Sequence, residues 1–510
     1  MSHTDTLEQC RSDCTQSDRV TLLALPTSEP FTSTRLVSSL VGTALGARPA
    51  PVFRLERPAG KRRMLLHAPG DAVRTDAAAS AGEGRRTVLI LSPHFPPSTL
   101  AGVHRARHLA KALPAHGWSP VVVRADPAHY TERGDEALAR LMPATLEEIR
   151  TGAISASLAR RVGIGDIGLR AYHAFGRALE GAARRTGAPI VLITGSPFYP
   201  MLLAGRLKRA GLKVVLDFQD PWISPTGPLR PAFSKGGLSH RLATLLEPRA
   251  VRHAHAVTAV SEEQNRQMRE RHPALADIAM EAIPIGCDPD DFAALRAAPP
   301  ADPVHPLDPA RLNLIYVGTF MPRSGPLMAV MLKAADRLAA RRPDLAGRLT
   351  LHFVGTANQP DAAAGPGPLT KLAEALGLGH LVAETPRRVP YLTALSLLTR
   401  ADGLMLIGSD EPHYTASKIY PALMAARPYV SLFHALSSAH RVLVDAGGGA
   451  SFAFEDSAAL AALEEPIAAA MEAIADRPET FLPPDPAAIR PYTAHAVAGR
   501  FAALFDRLVA

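Results

Sequence analysis

The stretch "SDEPHYTASKIYPALM" (residues 409–424) places hydroxyl groups and a cation where a helix should begin. Thr415, Ser417 and Lys418 stand just before Pro421, and a helix tolerates proline only near its first turn. The free backbone N–H groups of a helix N-terminus attract anions, and a lysine adds positive charge. The stretch therefore predicts a cradle for a diphosphate. The simpler alternative is that Thr415 only caps the helix and that Lys418 is solvated.

A second candidate stretch, "SPHFPPSTLAGVHR" (residues 92–105), directly follows an apolar run. Its prolines end the preceding strand, because they fix φ and donate no hydrogen bond. Gly102 lets backbone N–H groups approach a ligand, and Arg105 adds a charge. We therefore expect Gly102, His104 and Arg105 at the edge of a binding cleft. The alternative is a tight turn whose arginines face water.

Two further stretches follow predicted strands. "DFQDPW" offers two carboxylates and an aromatic ring that could recognise hydroxyl groups, namely Asp217, Asp220 and Trp222. The alternative is an aspartate that caps the next helix, with the tryptophan in the core. "VGTFMPRSG" brings Gly318 and Arg323 into a loop after another strand.

The elements that must position these residues are short apolar runs alternating with helix-like segments. Continuous β-branched and leucine runs are typical of strands buried on both faces. They occur at residues 87–92, 120–125, 189–195, 212–218, 255–261, 313–320, 348–356, 380–386, 403–408 and 428–433. This alternation predicts parallel, doubly wound sheets, whose ligands bind beyond the carboxyl ends of the strands. Clustered prolines interrupt the rhythm and predict a linker at 291–311.

Length and composition limit the number of domains and the classes of ligand that the protein could bind. The chain has 510 residues, more than one hydrophobic core usually supports, so two domains are expected. A net charge of +8 fits nucleic acid, an anionic membrane or a phosphorylated molecule equally well. With only 5% aromatic residues and no dense Lys/Arg block, the sequence disfavours a dedicated nucleic-acid module.

Three cysteines argue against a disulfide framework, and too few ligands surround them for a zinc site. No apolar run is long enough to span a bilayer, and no signal-peptide pattern is present. We therefore expect a cytoplasmic protein, peripheral at most to the inner face of the plasma membrane. Residues 1–86 are polar and rich in small residues, and we expect a poorly ordered leader there. "GIGDIG" (residues 163–168) matches a dinucleotide pattern but follows no buried strand, which disfavours a nicotinamide cofactor.

Taken together, an ordered set of stretches resembles the GT-B glycosyltransferases of family 4, which are retaining and use nucleotide sugars. The stretches cover about residues 87–440 and are "FPPSTLAGVHRARHLAKALPAHGW", "ITGSPFYP", "VVLDFQDPW", "AVTAVSEEQ", "AIPIGCDPDDF", "YVGTF" and "ADGLMLIGSDEPHYTASKIYPALMAARPYV". The resemblance implies two Rossmann-like domains that face a central cleft. The domains would be an acceptor domain at 87–290 and a donor domain at 312–488, with a final helix at 489–510 that crosses back to the first.

The resemblance also implies roles for the candidate residues. Many members carry two glutamates separated by seven intervening residues in the donor loop, and His413 and Pro421 stand at those positions here, with Glu411 as a shifted substitute. Gln219 stands where a histidine is common. The implied catalytic residues are His413, Asp220 and Asp217. The implied donor-binding residues are Gly318, Arg323, Glu411, Tyr414, Thr415, Ser417 and Lys418. The implied acceptor or cleft residues are Gly102, His104, Arg105 and Trp222.

The implied reaction moves a sugar from a nucleotide-diphosphate sugar to a hydroxyl group of a glycan, a lipid-linked acceptor or a polysaccharide precursor. Positive groups would stabilise the departing diphosphate, so neither a metal ion nor a further cofactor is expected. Two alternatives remain open, and the missing glutamate pair motivates the second. One is a nucleotide-sugar 2-epimerase of the same fold, and the other is an inactive GT-B binding protein.

Overall fold

The computed structural model describes residues 85–161, 163–224, 226–300, 304–357, 365–411, 414 and 416–510. The predicted leader lies outside these residues except for its last two, and Arg86 already begins the first strand. The described residues form two parallel sheets with helices on both faces, which confirms the predicted α/β fold with two Rossmann-like halves.

The first sheet has seven strands in the order β3-β2-β1-β4-β5-β6-β7, all parallel. They are β1 (Arg86–Leu91), β2 (Trp118–Ala125), β3 (Glu147–Thr151), β4 (Ile190–Gly195), β5 (Lys213–Phe218), β6 (Ala256–Ala259) and β7 (Ala279–Ala282). The accompanying helices are α1 (Val103–Ala112), α2 (Glu136–Arg140), α3 (Ala156–Arg161), α4 (Ile167–Arg170), α5 (Tyr172–Thr186), α6 (Ala204–Arg209), α7 (Lys235–Val251), α8 (Glu262–Arg271) and α9 (Pro289–Ala297).

The second sheet has six parallel strands in the order β10-β9-β8-β11-β12-β13. They are β8 (Leu312–Val317), β9 (Leu349–Val354), β10 (Val382–Thr385), β11 (Gly403–Ile407), β12 (Tyr429–His434) and β13 (Gly449–Phe454). The remaining helices are α10 (Gly325–Arg341), α11 (Pro343–Ala346), α12 (Pro368–Ala375), α13 (Tyr391–Arg400), α14 (Ile419–Met424), α15 (Ser438–Ala446), α16 (Glu464–Asp476), α17 (Pro486–Ile489) and α18 (Ala494–Val509).

Strand β1 shows why the apolar runs become central strands. Successive side chains of a strand point to opposite faces, so a fully apolar run serves two cores at once. Leu89 and Leu91 pack into the core on one face, and Val88 and Ile90 pack into the core on the other. All four are fully buried, and each contributes about 1.5–3 kcal/mol relative to an exposed position.

The last helix, α18, covers the first sheet rather than the second. Its Phe501 and Phe505 belong to the same core as Val88 and Ile90. Phe505 meets Trp118 edge to face at 5.3 Å, and the Trp118 indole N–H donates to Asp506 at 3.1 Å. The last helix therefore belongs to the first lobe.

Three edge strands and one helix differ from the sequence-based expectations. Strands β3, β7 and β13 were not predicted, because an edge strand is partly exposed and needs no continuous apolar run. Helix α9 occupies part of the predicted linker, with Asp288 as its N-cap. "GIGDIG" contains Asp166, which caps the four-residue helix α4, and it follows no strand. No helix within the described residues is both long and apolar enough to cross a bilayer.

Candidate functional site

A cavity of about 240 Å³ lies where the carboxyl ends of the two sheets meet. The first lobe contributes residues that follow β1 and β7, including Thr99, His104 and Cys287. The second lobe contributes residues that follow β8, β9, β10 and β11, among them Gly318, Thr319, Arg388, Tyr414, Ser417 and Lys418. Ligands of parallel sheets bind at this edge, so this cavity is the candidate active site.

Lys418 is the central cation of the cavity. Among the described residues its ammonium group has no hydrogen-bonded or ion-paired partner, and it lies 5.4 Å from the ring centre of Tyr316. Burial lowers the pKa of Lys418 to about 8, and repulsion from Arg388 adds to that effect. An ammonium group held in this way gains from an anion that enters the cavity.

Gly318 makes room for that ammonium group. A Cβ atom at position 318 would lie 2.0 Å from the Lys418 Nζ, closer than any real contact. The backbone of Gly318 is fixed by its N–H, which donates to the Val354 carbonyl at 2.8 Å. A side chain at position 318 would therefore displace the lysine from its present position, and both residues were predicted from the sequence as donor-binding.

Arg388 is a second cavity cation, which the sequence analysis missed. It lies in the loop between β10 and α13, and its Nη1 donates to the Thr99 carbonyl of the first lobe at 3.2 Å. Burial lowers the pKa of Arg388 as it does that of Lys418. The signal available was "ETPRRVP", which begins at the end of the strand predicted at 380–386, but two adjacent arginines do not show which of them lines the cleft.

Tyr414 and Ser417 also line the cavity, as expected for donor-binding residues. Burial, together with the carboxylates of Asp220 and Glu411, raises the pKa of Tyr414 to about 12. The charge of Asp220, which follows β5, therefore acts on Tyr414 across the cleft. The predicted residues His413 and Thr415 lie outside the described residues. Helix α14 begins at Ile419, directly after Lys418, and has only six residues.

Arg105 and Asp217 form a buried ion pair, which corrects their predicted exposure to the cleft. Both are fully buried, and the Arg105 Nε donates to Asp217 at 3.2 Å. The guanidinium also donates to the carbonyls of Ile283 and Pro284, at 2.5 and 2.7 Å. Asp217 accepts from the Thr258 hydroxyl at 2.7 Å. The pair therefore joins α1 to β5 and the chain after β7, and neither charge is free for a ligand.

The remaining residues predicted after β1 and β5 do not all lie in the cleft, and some lie on a neighbouring surface. Asp220 is exposed at the end of β5, although surrounding protein atoms raise its pKa. The side-chain amide of Gln219 donates to the Gly102 carbonyl at 3.2 Å, which ties α1 to β5. Trp222 stacks on Phe198 at 5.5 Å and lies outside the central cavity, so its predicted place there is corrected.

Arg323 is also displaced from its predicted role. Its Nε donates to Asp410 at 2.5 Å, and its Nη1 lies 3.8 Å from Glu411. It is absent from the lining of the central cavity, and its charge is already balanced by carboxylates. The hydrogen bond to Asp410 raises the pKa of Arg323. Lys418 and Arg388, rather than Arg323, provide the positive charge inside.

A neutral histidine closes the cavity on the first-lobe side. The His104 ring lies 4.7 Å from the Tyr391 ring, and burial lowers the pKa of His104 to about 3. Tyr391 donates to Asp291 at 2.9 Å, and Asp291 accepts two bonds from buried Arg107. The cluster fixes α13 of the second lobe against α1 and α9. Within the described residues, no group of three or more His, Cys, Asp or Glu side chains could hold a metal ion.

Comparison with known proteins agrees with this architecture. Residues 101–286 match the family model of the glycosyl transferase 4-like domain. The structure of HepE (Alr3699) from Anabaena in complex with UDP and glucose is similar at 16% identity and a TM-score of 0.51, over 83% of this chain and 100% of that one. A UDP-forming α,α-trehalose-phosphate synthase from Burkholderia xenovorans is similar at 12% identity and a TM-score of 0.55, over 84% and 100%.

A third similar structure is the E. coli trehalose-6-phosphate protein bound with UDP-2-fluoro glucose, at 10% identity and a TM-score of 0.51, over 82% of this chain and 95% of that one. At these identities the likeness establishes the fold alone. No curated protein matches the chain. The family match and the shared fold identify the chain as a glycosyltransferase of the GT-B fold with a glycosyl transferase 4-like domain.

Proposed function

We propose that the protein transfers a sugar from a nucleotide-diphosphate sugar to a hydroxyl group, with retention of the anomeric configuration. The observation that carries the proposal is the Lys418 ammonium group, which has no partner among the described residues and is held against Gly318 in the cavity between the lobes. Arg388 adds a second positive charge to the same cavity. Two cations in a partly dry cleft suit a diphosphate better than an uncharged ligand.

The physical role of the two cations follows from the chemistry of the leaving group. When the bond between the sugar and the diphosphate breaks, negative charge grows on the diphosphate. Charges fixed in advance stabilise that change because they need not reorganise during the reaction. Loss of one such contact typically costs about 2–4 kcal/mol of transition-state stabilisation. Lys418 and Arg388 act in this way, without a metal ion or a further cofactor.

The acceptor hydroxyl enters from the first lobe. Asp220 is the exposed carboxylate at the end of β5, and its charge already acts on Tyr414 across the cleft. A carboxylate in that place accepts a hydrogen bond from an attacking hydroxyl group and orients it. His413, which lies outside the described residues, remains our prediction for contact with the transferred sugar. The acceptor class is a glycan or a lipid-linked precursor.

The similar structures suggest which donor to test first. The HepE complex contains UDP and glucose, and the E. coli protein was bound with UDP-2-fluoro glucose. We therefore propose UDP-sugars as the first candidates. A donor that binds the folded state raises the unfolding temperature. A thermal-shift screen over UDP, GDP, ADP and their sugars should show stabilisation by one base.

The same screen on Lys418→Gln tests the role of the cavity cation. We expect that stabilisation is lost in Lys418→Gln and retained in Lys371→Gln, an exposed lysine of α12. Equal stabilisation of both variants would contradict the proposal. Incubation of a stabilising sugar nucleotide without an acceptor then separates the alternatives, since an epimerase converts the donor alone. With an acceptor, the proton coupling constants of the anomeric centre in the product report retention.

A further inference from the structure

Exposed apolar side chains cluster in one short part of the first lobe. Among the described residues, twelve large apolar side chains are exposed, and five of them lie within residues 229–245. Phe233 and Leu229 are 88% and 81% exposed, so almost none of their apolar surface is covered. The full set, called the α7 patch below, is Leu229, Phe233, Leu238, Leu242 and Leu245.

The three leucines of the patch form a strip along α7. Leu238, Leu242 and Leu245 are spaced by four and three residues, which places them on one face of the helix. The opposite face carries Ala243 and Ala250, which are buried against the lobe. The strip is therefore not needed to hold α7 in place.

Cations that pair with no described carboxylate lie on the same helix face as these leucines. Arg241, Arg249 and Arg252 fall on the same face as the strip, and Lys235 begins the helix. No carboxylate within the described residues pairs with any of these four or with Arg230, and all five are exposed. The Arg241 guanidinium lies 5.6 Å from the ring centre of Phe233, so charge and apolar surface touch directly.

The segment lacks any exposed negative charge. The sole acidic residue between 226 and 252 is Glu247, which is fully buried and contacts His272 Nε2 at 2.6 Å. Some arginines elsewhere are paired, as Arg266 is with Glu263 and Arg342 is with Asp344, and others, such as the exposed Arg160, have no carboxylate partner among the described residues. The α7 patch thus combines cations that lack a described carboxylate partner with apolar side chains that are exposed to solvent.

We infer that the α7 patch docks the protein onto an anionic lipid bilayer. The five cations have no exposed carboxylate among them, so their complement is a negatively charged surface, and an anionic bilayer supplies that charge beside an apolar interior. At a bilayer surface, leucine and phenylalanine enter the acyl boundary while long basic side chains reach the lipid phosphates. Anionic lipids attract each such cation, and the attraction weakens with salt.

The patch adjoins the acceptor side of the first lobe. A cavity of about 470 Å³ separates α7 from Trp222, and Arg230 and Lys235 line it together with Trp222. Trp222 follows β5, at the sheet edge where Asp220 lies. A bilayer seated on the patch would therefore lie beside the acceptor side of the cleft. The inference stands on surface chemistry and does not require the proposed reaction.

Flotation of the full chain with vesicles tests the inference. We expect binding to phosphatidylcholine vesicles that contain phosphatidylglycerol, little binding to phosphatidylcholine alone, and release by salt. Arg241→Gln/Arg249→Gln should weaken the partition coefficient on the order of 30-fold, about fivefold for each arginine. Leu238→Gln/Leu242→Gln should weaken it by at least about tenfold. Leu436→Gln, a 77% exposed leucine of the second lobe, is the matched control and should bind as the unmodified chain does.

Three results would overturn the inference. The first is an unmodified chain that does not float with anionic vesicles. The second is vesicle binding that both double variants retain, since another surface would then be responsible. The third is self-association of the unmodified chain in sedimentation velocity that Leu238→Gln/Leu242→Gln abolishes, which would show that a second copy covers the patch. Circular dichroism of each variant confirms that these exposed substitutions leave the fold intact.

Discussion

The Asp135 carboxylate in the first lobe accepts a 2.7 Å hydrogen bond from the backbone N–H of Tyr391 in the second lobe. Its other oxygen accepts from the Leu138 N–H at 3.0 Å, so one buried side chain caps both α2 and α13. Together with the bond from Arg388 to Thr99, this contact holds the candidate site closed on one side.

The first prediction concerns this shared cap. Asp135→Ala should lower the free energy of unfolding by about 1–2 kcal/mol, as loss of an N-cap does, and should widen the cleft. Urea unfolding measures the first effect, and small-angle scattering measures the second. Asp485→Ala removes a cap within the second lobe only, at α17, and should leave the scattering profile unchanged. Matching profiles for both variants would contradict the bridging role.

The second prediction concerns pH. The pKa of Lys418 is lowered to about 8, so its ammonium form is present below that pH and is lost above it. Affinity for a nucleoside diphosphate should therefore fall as pH rises through about 8. Stability of the unliganded protein should change in the opposite sense. The unfolded chain binds the proton more tightly than the folded one, so this residue's contribution rises with pH between the two pKa values.

Calorimetry in buffers of different ionisation enthalpy measures the proton uptake directly. Binding above pH 8 should take up protons, because an anion restores the charged form of Lys418. Lys418→Arg keeps its charge throughout this range and should abolish the uptake. Uptake that persists in Lys418→Arg would assign it to another group.

The third prediction separates stability from binding at Arg105. Removal of one partner of a buried ion pair leaves an uncompensated charge and typically costs about 3–5 kcal/mol. Arg105→Met should therefore destabilise the protein by that amount through Asp217. Donor affinity, measured by calorimetry well below the unfolding temperature, should stay within a factor of about three. A large loss of donor affinity without a loss of stability would instead show that Arg105 contacts the ligand.

The fourth prediction concerns Gly318. A Cβ atom at position 318 would overlap the Lys418 ammonium group, so Gly318→Ala must displace that group. We expect nucleoside diphosphate affinity to fall at least about tenfold, toward the level of Lys418→Gln. Gly347→Ala is the control, since a Cβ atom there meets no other atom within 4 Å. Unchanged affinity in Gly318→Ala would show that the lysine binds from another position.

The sequence predicted the inner strands because burial on both faces leaves a continuous apolar run, as at Val88 to Leu91. It missed β3 and β7, whose edge positions permit polar residues. Lys418 was predicted because the residues that mark the nearby helix start lie within a few positions of it in the sequence. Arg105 was misplaced, because its partner Asp217 is 112 residues distant and a sequence does not show which charges meet. Arg388 was missed although its strand was predicted, because its place in the cleft depends on a contact with Thr99, 289 residues distant.

The most direct test of the account is the affinity of a nucleoside diphosphate for three matched variants. Lys418→Gln, Arg388→Gln and Arg323→Gln each remove one positive charge from the second lobe. If the diphosphate lies in the cavity, calorimetry should show losses of at least about 30-fold for Lys418→Gln and Arg388→Gln, which corresponds to about 2 kcal/mol. The loss for Arg323→Gln should be below about threefold. Full affinity in the first two variants, with a large loss in Arg323→Gln, would contradict the account.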